Sequence, residues 1–190
     1  LAALASTYSQ TGDDAGLRGF YTQRLAALRA SPLPAAEKNQ LAGSLRRGLI
    51  PALDRLRDFS SAADQYIELL KLFPEEAALA AEAATHAGRH QQRDRLLASF
   101  RSAAVESPRD VRWPLVLARI EEGLEDLPAA ASDYQRALAV RPDRADLVLA
   151  KARIDERLLR FEDAARGYRQ AWDLTYRNPQ WMEKSAEQLM

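Results

Sequence analysis

The chain has 190 residues, with 27 Lys and Arg against 27 Asp and Glu, no Cys and two His. Zero net charge removes the basic surplus that advertises nucleic acid or anionic lipid, and the lack of Cys removes disulfides, thiol catalysis and cysteine-rich metal sites. Thirty-six Ala and 28 Leu stand against 14 Val, Ile and Thr together, so strong helix formers dominate and strand formers are scarce.

No stretch approaches the ~20 apolar residues that cross a bilayer, because Arg, Asp or Glu recurs every few positions. The expectation is a soluble all-α chain with no membrane insertion. Leu1-Ala2-Ala3-Leu4 lacks an initiating Met, a basic leader and a cleavage site, so the chain reads as an excerpt of a longer protein. Localisation is therefore unknown; Ala- and Arg-rich usage suits a bacterial source.

In chain order, Leu4, Ala5, Tyr8 and Gly12 mark a first helix and its turn, and Phe20, Tyr21, Leu25 and Leu28 a second, before Pro32 and Pro34. These make a copy over 1–34. About eleven extra residues, Ala35 to Leu45, add a helical segment over 35–42 and lengthen the next helix, which Pro51 should kink. The second copy, 43–74, carries Leu49-Ile50 and Leu53, then Phe59, Ala62, Tyr66, Leu69-Leu70 and Pro74. A third, 74–108, carries Ala80-Ala81, Ala84 and Gly88, then Leu96, Leu97 and Phe100, with Arg93 where a small residue is expected.

The clearest copies are 111–144 and 145–178, each 34 residues long. Leu117-Ala118, Ala130, Tyr134, Ala137-Leu138 and Pro142 in one correspond to Lys151-Ala152, Ala164, Tyr168, Ala171-Trp172 and a displaced Pro179 in the other. Trp181, Met182, Ala186 and Leu189 then form an apolar stripe, a capping helix over 180–190 that also offers a surface for a homodimer. Gly12 and Gly88 stand at first-helix ends, Asp13, Ser60, Asp110 and Asp126 where N-caps would fall, and Pro114 and Pro128 in first turns. The tally is about eleven helices, with Tyr66, Tyr134, Tyr168, Phe59 and Phe161 assigned to the core.

A small residue, an aromatic four later, Ala three after that and then Pro, at a period of 34, resembles the tetratricopeptide repeat. The resemblance implies one right-handed α-solenoid of about five helix pairs, an open superhelix lined inside by first helices. Groove-facing residues of that family fall at the second, fifth, ninth and twelfth positions of each repeat. Carried over, these are Arg112, Leu115, Arg119 and Glu122, then Asp146, Leu149, Arg153 and Glu156. The stretch from Pro74 adds Ala78, Glu82 and Thr85, and the second copy adds Arg47 and Asp54.

A row of Leu beside a row of Arg suits a protein or peptide partner with an apolar anchor and a carboxylate, which guanidinium holds bidentately. The alternative is that Arg119 with Glu122, and Arg153 with Glu156, neutralise each other on a solvated face. With Asn only at 39 and 178, the Lys–Asn clamp of chaperone-binding members and the asparagine ladder of glycosyltransferase members are not matched. His86 and His90 are read as turn histidines on different faces, separated by Gly88, so no metal and no cofactor are expected. No phosphate loop, G-x-S-x-G or H-E-x-x-H occurs. The expectation is a non-enzymatic interaction or scaffold module, with a spacer or oligomerisation segment of a larger protein as the alternative.

Overall fold

A computed structural model describes residues 2–176, and every regular element among them is an α-helix. There are ten: α1 (Ala2–Thr11), α2 (Asp14–Ala30), α3 (Ala35–Arg55), α4 (Phe59–Leu72), α5 (Ala77–Arg89), α6 (Arg93–Glu106), α7 (Arg112–Gly123), α8 (Leu127–Val140), α9 (Ala145–Arg157) and α10 (Phe161–Tyr176). The eleventh helix expected over 180–190 lies outside the described residues.

The period is written into the backbone. Arg57, Gln91, Glu125 and Leu159 each adopt a left-handed conformation, with φ of 56°, 58°, 61° and 59°, and successive members stand 34 residues apart. Each closes a first helix in a Schellman turn: the N–H of the following residue bonds five residues back, as in Asp58 to Leu53 and Asp126 to Glu121, both at 2.9 Å. Gly12, at φ 69°, makes the same turn between α1 and α2. Three of the second helices start on an aspartate whose carboxylate accepts a backbone N–H: Asp13 from Gly16, Asp58 from Ser61 and Asp126 from Ala129. Asp58, not Ser60, therefore caps α4. The Asp110 carboxylate accepts from the Arg112 N–H just outside α7.

This frame corrects two sequence expectations in the third copy. The left-handed residue is Gln91, and α5 continues through Gly88 to Arg89. Glycine weakens a helix interior by only about 1 kcal/mol, too little to end a helix whose Ala83, Ala84 and Ala87 are buried. The position matching Ala62, Ala130 and Ala164 is then Leu96, buried, and not Arg93, which is exposed at the start of α6.

From Gly12 to Arg57 the step is eleven residues longer than the period. Relative to α4, α2 runs about one turn further before its end; relative to α5, α3 begins about two turns earlier. The helix passes through Pro51 and ends at Arg55.

The described residues divide into two compact units, with the boundary between Leu96 and Leu97. In the first, each of α1 to α5 packs on the next, and Leu49, Leu53 and Ala62 form a core against Tyr21 and Leu25. In the second, α7 to α10 pack in the same sequential way around Leu115, Ala118, Ala131, Tyr134, Ala137, Leu147 and Ile154. Tyr134 is buried and Tyr66 and Tyr168 are half-buried, as packing residues; Phe161, expected in the core, is 63% exposed at the start of α10. No described helix is long and apolar enough to cross a membrane.

Candidate functional site

Side chains that meet across each helix pair recur with the backbone. In the fourth copy the Tyr134 hydroxyl donates to Glu122 at 2.9 Å, and in the fifth the Tyr168 hydroxyl donates to Glu156. Burial first, then the Glu122 charge, raises the Tyr134 phenol well above its usual range, while Arg119 draws it back. Arg153 stands in the same relation to Tyr168. An arginine, a glutamate and a tyrosine thus form one unit in each of these two repeats. The carboxylates anticipated as groove charges or as partners of Arg119 and Arg153 bond the phenols, and Glu122 also lies 3.7 Å from Arg157.

The other sequence-derived groove residues sit as follows. Arg112 is exposed, pairs with Asp110 at 2.5 Å and lies over the Trp113 ring. Asp146 is held by Arg144, also at 2.5 Å, and that guanidinium keeps its carboxyl below the usual range. Arg153 and Glu156 are exposed, and Arg119 and Glu122 half-buried. Leu115 is not on a groove surface: it is fully buried, because α7 is covered on every side from Pro114 to Ala118. In the first unit, Ala78, Glu82 and Thr85 line the exposed side of α5, and the Thr85 hydroxyl donates to the Ala81 carbonyl. Arg47 pairs with Glu76 at 2.6 Å, over the Phe73 ring.

Leu149, at the register of Leu115, is only half-buried, and it opens onto a depression of about 520 Å³ between α9 and α10. Leu149, Tyr168, Ala171, Trp172 and Tyr176 line it, with Asp146 at its edge. Trp172 is 60% exposed and Tyr176 58%, their ring centroids 4.1 Å apart. Arg153 follows Leu149 by one helical turn on the same face of α9. The aromatic part of this surface comes from the second helix, which the carry-over from first-helix positions passed by. The signal was present in Trp172 and Tyr176, four residues apart, with Trp172 continuing the stripe of Ala164 and Tyr168.

Two buried acids were also passed over. Glu121 is 2% exposed and lies near Asp133. Burial and the Asp133 charge push its carboxyl up to about 7, against the pull of Arg101 at 3.3 Å. Asp155 occupies the register of Glu121 one period later, bonded to Lys151 at 2.7 Å.

The two histidines are together, contrary to expectation. Because α5 runs unbroken through Gly88, His86 and His90 fall one turn apart, with ring centroids at 4.7 Å. His86 Nε2 lies 2.8 Å from the Asp54 carboxylate on α3, and Phe59 stacks face to face on His90 at 3.7 Å.

Helix pairs closed by left-handed turns at a 34-residue period make this an all-α, tetratricopeptide-like repeat chain. No protein-family model matches the chain, and no curated protein matches it. Among solved structures it is similar to MamA, residues 41 to the end, from Desulfovibrio magneticus RS-1, at 18% identity over 92% of this chain and 97% of that one, with a TM-score of 0.48. It is similar also to MamA AMB-1, at 15% identity over 93% and 98% with a TM-score of 0.46. A third is YrrB, described as a TPR protein with an unusual peptide-binding site, at 15% identity over 96% and 88% with a TM-score of 0.45.

Proposed function

We propose that the chain is a non-enzymatic protein-interaction module, and that the depression between α9 and α10 receives a partner peptide carrying an apolar anchor followed by a carboxylate. One observation carries the reading: an open apolar depression, with Trp172 and Tyr176 largely exposed, has an arginine one turn away on the same helix face. Exposed aromatics of this size are costly to leave in water and are the side chains that anchor partner segments. The depression holds a Leu- or Phe-sized side chain against Leu149 and Trp172, while Arg153 offers its planar fork to an Asp, a Glu or a chain terminus. The groove candidates Leu149 and Arg153 act together in this role, and Asp146 at the edge stays paired with Arg144. Glu156 holds Tyr168, the wall of the depression.

The test is selection from a displayed random-peptide library against the purified chain. Enriched sequences should share an apolar residue with an acidic residue within the next few positions, and binding should shift Trp fluorescence. Arg153→Glu and Trp172→Ala should each weaken the selected peptides at least tenfold, with circular-dichroism melting close to that of the parent. Capture unaffected by both substitutions overturns the reading. Capture that appears only after deletion of residues 177–190 assigns the depression to the chain's own end. Trp172-dependent dimerisation in light scattering, without peptide capture, assigns it to a second copy.

A further inference from the structure

We propose that Asp54, His86 and His90 form a binding site for a divalent transition-metal ion of the zinc class, joining α3 to α5 in the first unit. One donor atom from each residue lies within 4.8 Å of the other two. His86 and His90 sit one helical turn apart, the spacing that brings two imidazoles to one ion, and Asp54 enters from the neighbouring helix pair, 2.8 Å from His86 Nε2. Two imidazoles and one carboxylate make a borderline-soft set suited to Zn2+, Co2+, Ni2+ or Cu2+; Ca2+ and Mg2+ prefer oxygen throughout.

The surroundings hold the donors in place. His86 is 93% buried, being 7% exposed, and packs beside Tyr66 at 5.2 Å, while the flat face of Phe59 fixes the His90 ring. Asp54 and His90 are half-buried, which leaves one side open for entry of the ion and for water as a fourth ligand.

Register makes the cluster more than an accident of packing. Thirty-four and sixty-eight residues after His86 stand Ile120 and Ile154, and the same steps from His90 reach Leu124 and Leu158; Ile120, Ile154 and Leu124 are buried and Leu158 is half-buried. The fourth and fifth repeats fill these positions with aliphatic side chains. His86 pays a burial penalty that isoleucine avoids, because its Nδ1 is buried without a hydrogen-bond partner. Asp54 occupies the register of Glu122 and Glu156, which bond the tyrosine twelve residues on; Asp54 bonds His86 instead. Three substitutions relative to the fourth and fifth repeats thus converge on one point.

The probe is Co2+, followed by Zn2+, added to tag-free protein dialysed against a chelator. Wild-type protein should develop the visible absorption of low-coordinate cobalt at one ion per chain, reversed by Zn2+, and its melting temperature should rise with either ion. Asp54→Asn and His90→Ala should each weaken Zn2+ binding at least tenfold in calorimetry. His90 lies at the end of α5, so its variant keeps the core intact even if His86→Ala fails to fold. A wild-type melting temperature that is indifferent to metal, with no cobalt spectrum, overturns the proposal and leaves His86 and Asp54 as a plain hydrogen-bonded pair. Equal binding by His90→Ala overturns it as well.

Discussion

Tyr134 on α8 donates its hydroxyl to Glu122 on α7 at 2.9 Å, and the pair ties the second helix of a repeat to its first. The phenol is buried and the carboxylate only partly so; loss of the hydroxyl therefore removes a charge-assisted bond while water can still reach the acid. Tyr134→Phe should lower the unfolding free energy by about 1–2 kcal/mol in urea titration. Tyr168→Phe, at the more exposed copy of the same contact, should cost less than half as much. Equal losses at both sites would show that burial does not govern the contact.

Glu121 gives the second unit a pH dependence of unusual sign. Its folded-state pKa is raised to about 7, while an unfolded glutamate titrates near the ordinary value of 4.5. Between these values the folded chain holds a proton that the unfolded chain has released, so stability is highest below the lower value and falls as pH rises towards 7. Glu121→Gln, which keeps the shape and removes the charge, should flatten this slope and stabilise the protein on the order of 1–3 kcal/mol at pH 8, with little effect at pH 4. Thermal melts of both proteins across that range check the sign; a Gln variant less stable at pH 8 would refute it.

Leu159 combines a left-handed backbone, φ 59°, with a side chain 73% exposed. A Cβ in that conformation costs about 1–2 kcal/mol, and part of this is returned by the extra freedom glycine gives the unfolded chain. Leu159→Gly should raise stability by roughly 0.5–1 kcal/mol. The same substitution at Glu125 should gain less, because it also removes the Arg157 partner held at 2.5 Å. Paired denaturant titrations of the two variants give the comparison.

Much of the architecture was legible in the residues because helical repeats print local signals. The small residue at Ala62, Ala130 and Ala164 and the aromatic four later are set by packing within one helix pair, and the 34-residue spacing followed from them. What escaped was set by the turn. Left-handed residues at Arg57, Gln91, Glu125 and Leu159 are not glycines, so Gly88 was the only visible marker in its copy and drew the helix end three residues too early. That single displacement separated His86 from His90 and shifted the small-residue position onto Arg93. Leu115 was misread for a different reason: position within a repeat does not say how completely a helix is covered by its neighbours. Among the candidate groove residues, Arg153 and Leu149 kept an open face that their register alone could not distinguish from that of Leu115.

The lengthened α2 and α3 bear on how this chain can change size. The eleven added residues fall at the two helix ends on either side of one connecting segment, and the left-handed turn at Arg57 that follows is unaltered. Everything downstream keeps its count, as a zip fastener keeps its teeth aligned when a tab is sewn to one edge. Insertions elsewhere in the chain should be tolerated at the same kind of joint, after a second helix and before the next first helix. The tight turns inside each pair leave no such room, since one residue more there would turn the following helix away from its packing face.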